Sequence, residues 1–168
     1  MAIESIGVAI ISFSGQQAGY AQALFNNPRV KIVAVTDDDP PAADEQANQK
    51  WADEHGVPFV PDLDEVLSRS DVQAVSLCCT IDRRVALVKK IAASGKHLLA
   101  DKPLTDSLED SDSIIEAVDK ANVKMMVGHN FTFNPAIQDA RSSLKRGEIG
   151  LPWAIHSEWV IATGKQAA

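Results

Sequence analysis

Short apolar runs alternating with helical stretches constrain the fold of this 168-residue chain more than any other feature. Ile6–Ile11, Lys31–Thr36, Val72–Cys79, His97–Ala100 and Val123–Gly128 are such runs, with a shorter one at Pro58–Val60. Strands covered on both faces read as continuous apolar runs, whereas half-exposed strands alternate. Between the runs, apolar residues recur at helical spacing. Ala21, Leu24 and Phe25 form one set, and Ala43, Ala47 and Trp51 a second. Val85, Val88, Ile91 and Ala92 form a third, and Ile114, Ile115 and Val118 a fourth. Strand–helix alternation of this kind predicts an α/β fold, a doubly wound parallel sheet with helices on both faces. Six strands are expected.

Helix ends are marked locally. Asp39 with Pro40 behind it reads as an N-cap, Asp62 caps a short helix, and Ser107 with Asp110 three residues later resembles a capping box. Trp51 reads as a core anchor.

Ligands of open α/β sheets sit beyond the carboxyl ends of the strands. Lys102 falls there, at the end of the His97–Ala100 run, with Pro103 directing the chain behind it. A lysine at a buried crevice serves as an acid or base. Asp37 ends the second run, where an acid hydrogen-bonds the 2′-hydroxyl of NAD and repels the 2′-phosphate of NADP. Thr80 ends the fourth run and offers a hydroxyl and a backbone group to a cofactor. Arg83 and Arg84 read as a solvated helix start, and His129 as a packing residue.

The net charge of −7 argues against a nucleic-acid partner, which needs a basic face. No run has the length of a membrane helix, and no secretory leader is visible. Cys78 and Cys79 are the only cysteines; adjacent in a strand, they point to opposite faces and are expected reduced, buried and inert. This suits a cytoplasmic protein. No set of metal ligands is apparent.

Gly95-Lys96-His97-Leu98-Leu99-Ala100-Asp101-Lys102-Pro103-Leu104 resembles the Gly-Lys-His-Val-Leu-x-Glu-Lys-Pro-Leu segment of the Gfo/Idh/MocA oxidoreductases, with Asp101 where glutamate is usual. The resemblance runs from about Ile6 to Gly150. It implies an N-terminal Rossmann domain at residues 1–127. Residues 128–168 are then a linker helix and the first strand, Trp153–Ile161, of an incomplete second α+β sheet domain. It further implies hydride transfer between a nicotinamide and a carbinol of a sugar or polyol, with Lys102 catalytic or substrate-orienting. NAD rather than NADP is the expected cofactor. Asp101 and Pro103 count among its contacts, as does Asn130 from Gly128–Pro135, which resembles the family's Gly-x-Asn-x-Arg-Phe-x-Pro with Thr132 in place of arginine.

The family's dinucleotide fingerprint, Gly-x-Gly-x-x-Gly-x-x-His-Ala, is altered. Anchoring on Tyr20-Ala21 places Ser12, Ser14 and Gln17 at the glycine positions; a second frame uses Gly15 and Ala18 but leaves Phe13 at the first glycine. In the preferred first frame Ser12 and Ser14 line the pyrophosphate turn, and Gln17 is expected to widen the helix–strand contact. The fourth-strand loop, Thr80-Ile81-Asp82-Arg83-Arg84, lacks the family's proline, asparagine and histidine.

The second domain of the family carries an acid and a histidine that complete the catalytic group. No such motif follows before Ala168, so either a fragment or truncated version of a longer enzyme or a module that borrows strands from a partner is expected, associating as a homo-oligomer through its C-terminal strand. The rival reading is a non-catalytic nucleotide-binding or interaction module with a decayed phosphate loop.

Overall fold

A computed structural model describes residues 5–37 and 45–158. The chain divides into two compact units, Met1–His129 and Asn130–Ala168.

The first unit is a five-stranded, wholly parallel sheet. In chain order it contains β1 (Ile6–Ile11), α1 (Gln17–Phe25), β2 (Val30–Thr36), α2 (Glu45–His55), α3 (Leu63–Ser68), β3 (Ala74–Leu77), α4 (Ile81–Ala93), β4 (His97–Ala100), α5 (Leu108–Ala121) and β5 (Met125–Val127). The strand order is β2-β1-β3-β4-β5. From β1 the chain first winds to one side, to β2, and later to the other, to β3. The reversal creates a switch point between the carboxyl ends of β1 and β3, where such sheets bind ligands.

Pro58–Val60 is not a sixth strand. It makes one bridge, Phe59 to Val35, framed by Val35 N–H to the Pro58 carbonyl and Val60 N–H to the Val35 carbonyl, both 2.9 Å. Pro58 and Pro61 bring no N–H with which to extend a ladder.

Two cores lie on opposite faces of the sheet. Ala9, Ile11, Val75, Leu77 and Leu98 pack with Val88, Ile91 and Ile114 from α4 and α5. Ile10, Ile32 and Val35 pack with Ala21 of α1 and Ala52 of α2. Alternation along β1 sends Ile10 one way and Ala9 and Ile11 the other. The β1–β2 register slips between Val8, opposite Ile32, and Ala9, opposite Ala34. Val33 is the extra residue, and Val33 and Ala34 both reach the first core.

The expected caps form. Asp62 accepts from the N–H groups of Asp64 (2.8 Å) and Glu65 (3.3 Å), and Ser107 Oγ from that of Asp110 at 3.2 Å. The Asp39–Pro40 cap lies outside the described residues. Trp51 is a half-buried anchor, as expected: it stacks on His55 with centroids 4.0 Å apart and meets Phe13 at 5.3 Å.

In the second unit, a short 3₁₀ turn (Asn130–Phe133) precedes α6 (Pro135–Lys145), which Asn134 caps through Ala136 N–H at 2.9 Å. Residues 152–158 are in no strand. The strand expected from Trp153 therefore has no ladder partner among the described residues, and Trp159 and Ile161 lie outside them. Leu151, Trp153 and Ile155 are exposed.

Lys96, part of the family-like segment, has a structural task. Its ammonium donates to the carbonyls of Arg69 at 2.7 Å and Val72 at 2.8 Å, fastening the start of β4 to the loop before β3. Lys96→Met, which keeps the stem but strands two carbonyls, is expected to lower the unfolding free energy by about 1–3 kcal/mol in a denaturant titration. An unchanged midpoint would assign the anchoring elsewhere.

Candidate functional site

Three segments of the first unit converge beyond the carboxyl ends of the strands. The Ser12–Gln16 turn follows β1, Cys78–Thr80 follows β3, and Asp101–Pro103 follows β4. Each leaves the sheet where ladder pairing stops, so its backbone groups need other partners.

The β1 turn is built for close approach. Ser12 has φ 61° and Gly15 φ 57°, both left-handed. Serine there costs roughly 1–2 kcal/mol that glycine would not. Ser12 N–H compensates by donating to the Thr36 carbonyl at 3.1 Å, and the residue is buried. The Ser14 hydroxyl donates to the Cys78 carbonyl and so joins the β1 turn to the β3 turn across the switch point. Its proton is thereby engaged within the protein. Helix α1 starts with no side-chain cap and no acid in its first turn, leaving the positive end of its dipole uncompensated by the helix itself.

The Gln17 side chain stands between α1 and β3. It is fully buried, and its amide lies against Ser76 of β3, with Nε2 3.0 Å and Oε1 3.2 Å from Oγ. The side chain fills the space a glycine would leave and satisfies a strand hydroxyl, so it bridges helix and sheet. A residue 59 positions away supplies the partner, and no local pattern announces it.

Arg84 is likewise not solvated. It is 3% exposed, and its guanidinium donates to the carbonyls of Cys79, Asp101 and Pro103. It therefore ties the end of β3 to the Lys102 turn. Arg83, beside it, is half-buried.

Asp101 is buried and its Oδ1 accepts two hydrogen bonds, from the Lys102 N–H at 2.8 Å and the Tyr20 hydroxyl at 3.1 Å. Its Oδ2 lies against the β1 turn: a Cβ on Gly15 would stand 2.6 Å away. The Lys102–Pro103 peptide is cis, and both residues are exposed. The Lys102 ammonium makes no hydrogen bond or ion pair among the described residues, so it projects free from a turn that is itself firmly held.

The other sequence candidates are placed as follows. Asp37, at the end of β2, is buried, and its Oδ2 accepts from Asn48 Nδ2 at 2.7 Å. The Thr80 hydroxyl bonds to Asp82 and holds that carboxyl below the usual carboxylate range. Asn130 belongs to the second unit. Cys78 and Cys79 are buried and in no disulfide, and burial, followed by the charge of Asp101, pushes the Cys78 thiol up to about 12, consistent with an inert thiol. Among the described residues no cluster of histidine, cysteine or acid is arranged to hold a metal, and no helix is long and apolar enough to cross a membrane.

The arrangement fits a dinucleotide. Two left-handed residues admit close backbone approach, the helix start attracts an anion, an acid ends β2, and a free ammonium stands beyond β4.

Comparison with known proteins agrees. The oxidoreductase family Gfo/Idh/MocA, NAD-binding Rossmann fold, matches residues 6–129. The chain is 33% identical over 129 residues to the scyllo-inositol 2-dehydrogenase (NAD⁺) of Bacillus subtilis, covering 74% of this chain and 35% of that one. It is 28% identical over 131 residues to an inositol 2-dehydrogenase of Rhizobium meliloti, covering 78% and 38%. The crystal structure of the apo scyllo-inositol dehydrogenase of Lactobacillus casei shares the fold, with TM-score 0.76 and 22% identity over 89% of this chain and 44% of that one. The chain thus spans less than half the length of these relatives.

If Gln17 replaces glycine by filling and bonding, restoring the glycine is harmful. Gln17→Gly is expected to cost about 2–4 kcal/mol, from the lost packing, the stranded Ser76 hydroxyl and helical glycine. Thermal unfolding of the variant measures it, and a gain in stability would show that the amide is a burden.

Proposed function

This chain belongs to the Gfo/Idh/MocA oxidoreductase family, and from that premise we propose that it forms the cofactor half of an NAD-dependent dehydrogenase acting on a carbinol of a polyol or sugar. The observation that carries the reading is the convergence of the β1 turn, the β3 turn and the Lys102 turn at the switch point of the sheet. The cyclitol dehydrogenases among its relatives favour a cyclic polyol.

Hydride acceptance and donation are the chemistry a bound nicotinamide supplies. The residues of this chain bind and orient it. The Ser12–Gln16 turn and the start of α1 hold the pyrophosphate, through backbone groups rather than through the engaged Ser14 hydroxyl. Asp37 accepts from the adenosine ribose, with Asn48 fixing the carboxylate from beneath. Thr80, Asp101 and Pro103 border the nicotinamide half. Lys102 is the proposed catalytic residue: its ammonium shares the proton of the reacting hydroxyl as the carbonyl forms. In this reading the exposed Leu151, Trp153 and Ile155 belong to a sheet completed by further chain or by a second copy, and the setting is cytoplasmic.

Cofactor choice follows from Asp37. A 2′-phosphate set against this carboxylate places like charges together, so NAD⁺ is expected to bind more tightly than NADP⁺ by roughly 1–3 kcal/mol. Titration calorimetry with both nucleotides decides it. Equal affinities remove Asp37 from the role, and binding of neither supports the rival reading of a decayed loop.

Lys102 is tested on a form of the enzyme that turns over a polyol. Lys102→Ala is expected to lower kcat by about 10²–10⁴-fold while leaving the NAD⁺ dissociation constant nearly unchanged. Wild-type turnover in the variant would end the assignment.

A further inference from the structure

We infer that Tyr20 is a positioning residue of this site: its hydroxyl, set between Asp101 and the Gly128 carbonyl, latches the turn that presents Lys102 to the helix that opens the dinucleotide turn. The inference rests on the cofactor reading above.

The hydroxyl of Tyr20 lies 3.1 Å from Asp101 Oδ1, 3.1 Å from the Gly128 carbonyl and 3.4 Å from Gln16 Oε1. One proton faces three acceptors, and the carboxylate is the strongest of them. Helix α1, the end of β4 and the end of β5 therefore meet on one oxygen. The fit admits nothing larger: a Cβ on Gly128 would stand 2.2 Å from the hydroxyl.

Asp101 passes the constraint on in both directions. Its Oδ1 also holds the Lys102 N–H, which sets the backbone from which the ammonium projects. Its Oδ2 touches the dinucleotide turn at Gly15. A buried carboxylate beside an anion-binding turn repels the pyrophosphate unless it is held and its charge partly satisfied. The Tyr20 hydroxyl does both.

The two residues also compensate in length. The fingerprint that this chain resembles has histidine at the position of Tyr20 and glutamate at that of Asp101. Here the donor is longer and the acid one methylene shorter. Two departures 81 positions apart thus meet in one hydrogen bond. The longer donor reaches the shorter acid at 3.1 Å.

Tyr20 is the only tyrosine in the chain, so its phenol is read directly. Burial, then the bond to Asp101, pushes it from 10.0 up to about 12. The neutral phenol is the form the fold prefers, so its contribution to stability is complete below pH 10 and is lost as pH rises through about 12.

The experiment uses the 168-residue chain labelled with ¹³Cζ-tyrosine, together with NADH titrations. The single resonance is expected to titrate near 12 and to move toward 10 in Asp101→Asn. Tyr20→Phe and Asp101→Glu are each expected to weaken NADH binding about tenfold, and Tyr20→His with Asp101→Glu to regain most of that loss. Recovery in the double variant is a result that general loss of packing does not produce. A phenol titrating near 10 in the folded chain, or losses that simply add in the double variant, overturns the latch. A wild-type chain that binds NADH but tolerates Tyr20→Phe sinks this inference alone, whereas one that binds no NADH sinks the cofactor reading with it.

Discussion

Arg84 sets its guanidinium among three backbone carbonyls that have no ladder to join. Parallel strands all deliver their carboxyl ends to one edge, and the chain must turn away there while still partly buried. Carbonyls of Cys79, Asp101 and Pro103 are left to be satisfied at that edge. A planar fork of fixed donors answers all three at once. The buried Nε remains without a partner, and the other nitrogens carry the arrangement. Because the same group holds the turns after β3 and β4, the switch-point crevice and the Lys102 turn form one body. The free ammonium is then precise in origin although its own tip is solvated.

The strength of that edge explains how an altered fingerprint keeps its shape. Ser14 and Gln17 bond through their side chains at glycine positions, and Ser12 through a backbone N–H that a glycine would equally supply. Ser12 donates its N–H to Thr36, Ser14 its hydroxyl to Cys78, and Gln17 its amide to Ser76. The bonds hold the turn from beneath. The left-handed Gly15 and the uncapped start of α1 remain the parts that face outward.

Much of the scaffold is legible in the sequence because it is encoded locally. Five of the apolar runs became strands, and Asp62 and Ser107 cap their helices through side chains within three residues. The short Pro58–Val60 run failed for an equally local reason, the prolines at 58 and 61. What escaped was long-range pairing. Nothing near Arg84 distinguishes a solvated helix start from a buried clamp, because its partners at 101 and 103 belong to another loop. Gln17 reads as a defect until Ser76 is set opposite it. Lys96 was noticed as part of a motif, yet the reason for it lies at Arg69 and Val72. Periodicity shows which face of an element is buried. It does not show which polar group on that face has found a partner.

The same distinction bears on the site. The proposed roles of Lys102 and Asp37 start from their places at strand ends, since a parallel sheet puts its chemistry at one edge, with the family-like segment adding to the case for Lys102. Tyr20 was seen only as an anchor for aligning the fingerprint. Its significance needs three facts held together: a carboxylate before Lys102, a glycine whose Cβ would collide with that carboxylate, and a second glycine that makes room for the phenol. Gly128 is selected by contact alone, since it has no left-handed angle to demand it, whereas Gly15 is required both by contact and by its φ of 57°. Space left for a hydroxyl and an oxygen left against a backbone turn are what convert a short acid into a link between the β1 turn and the Lys102 turn.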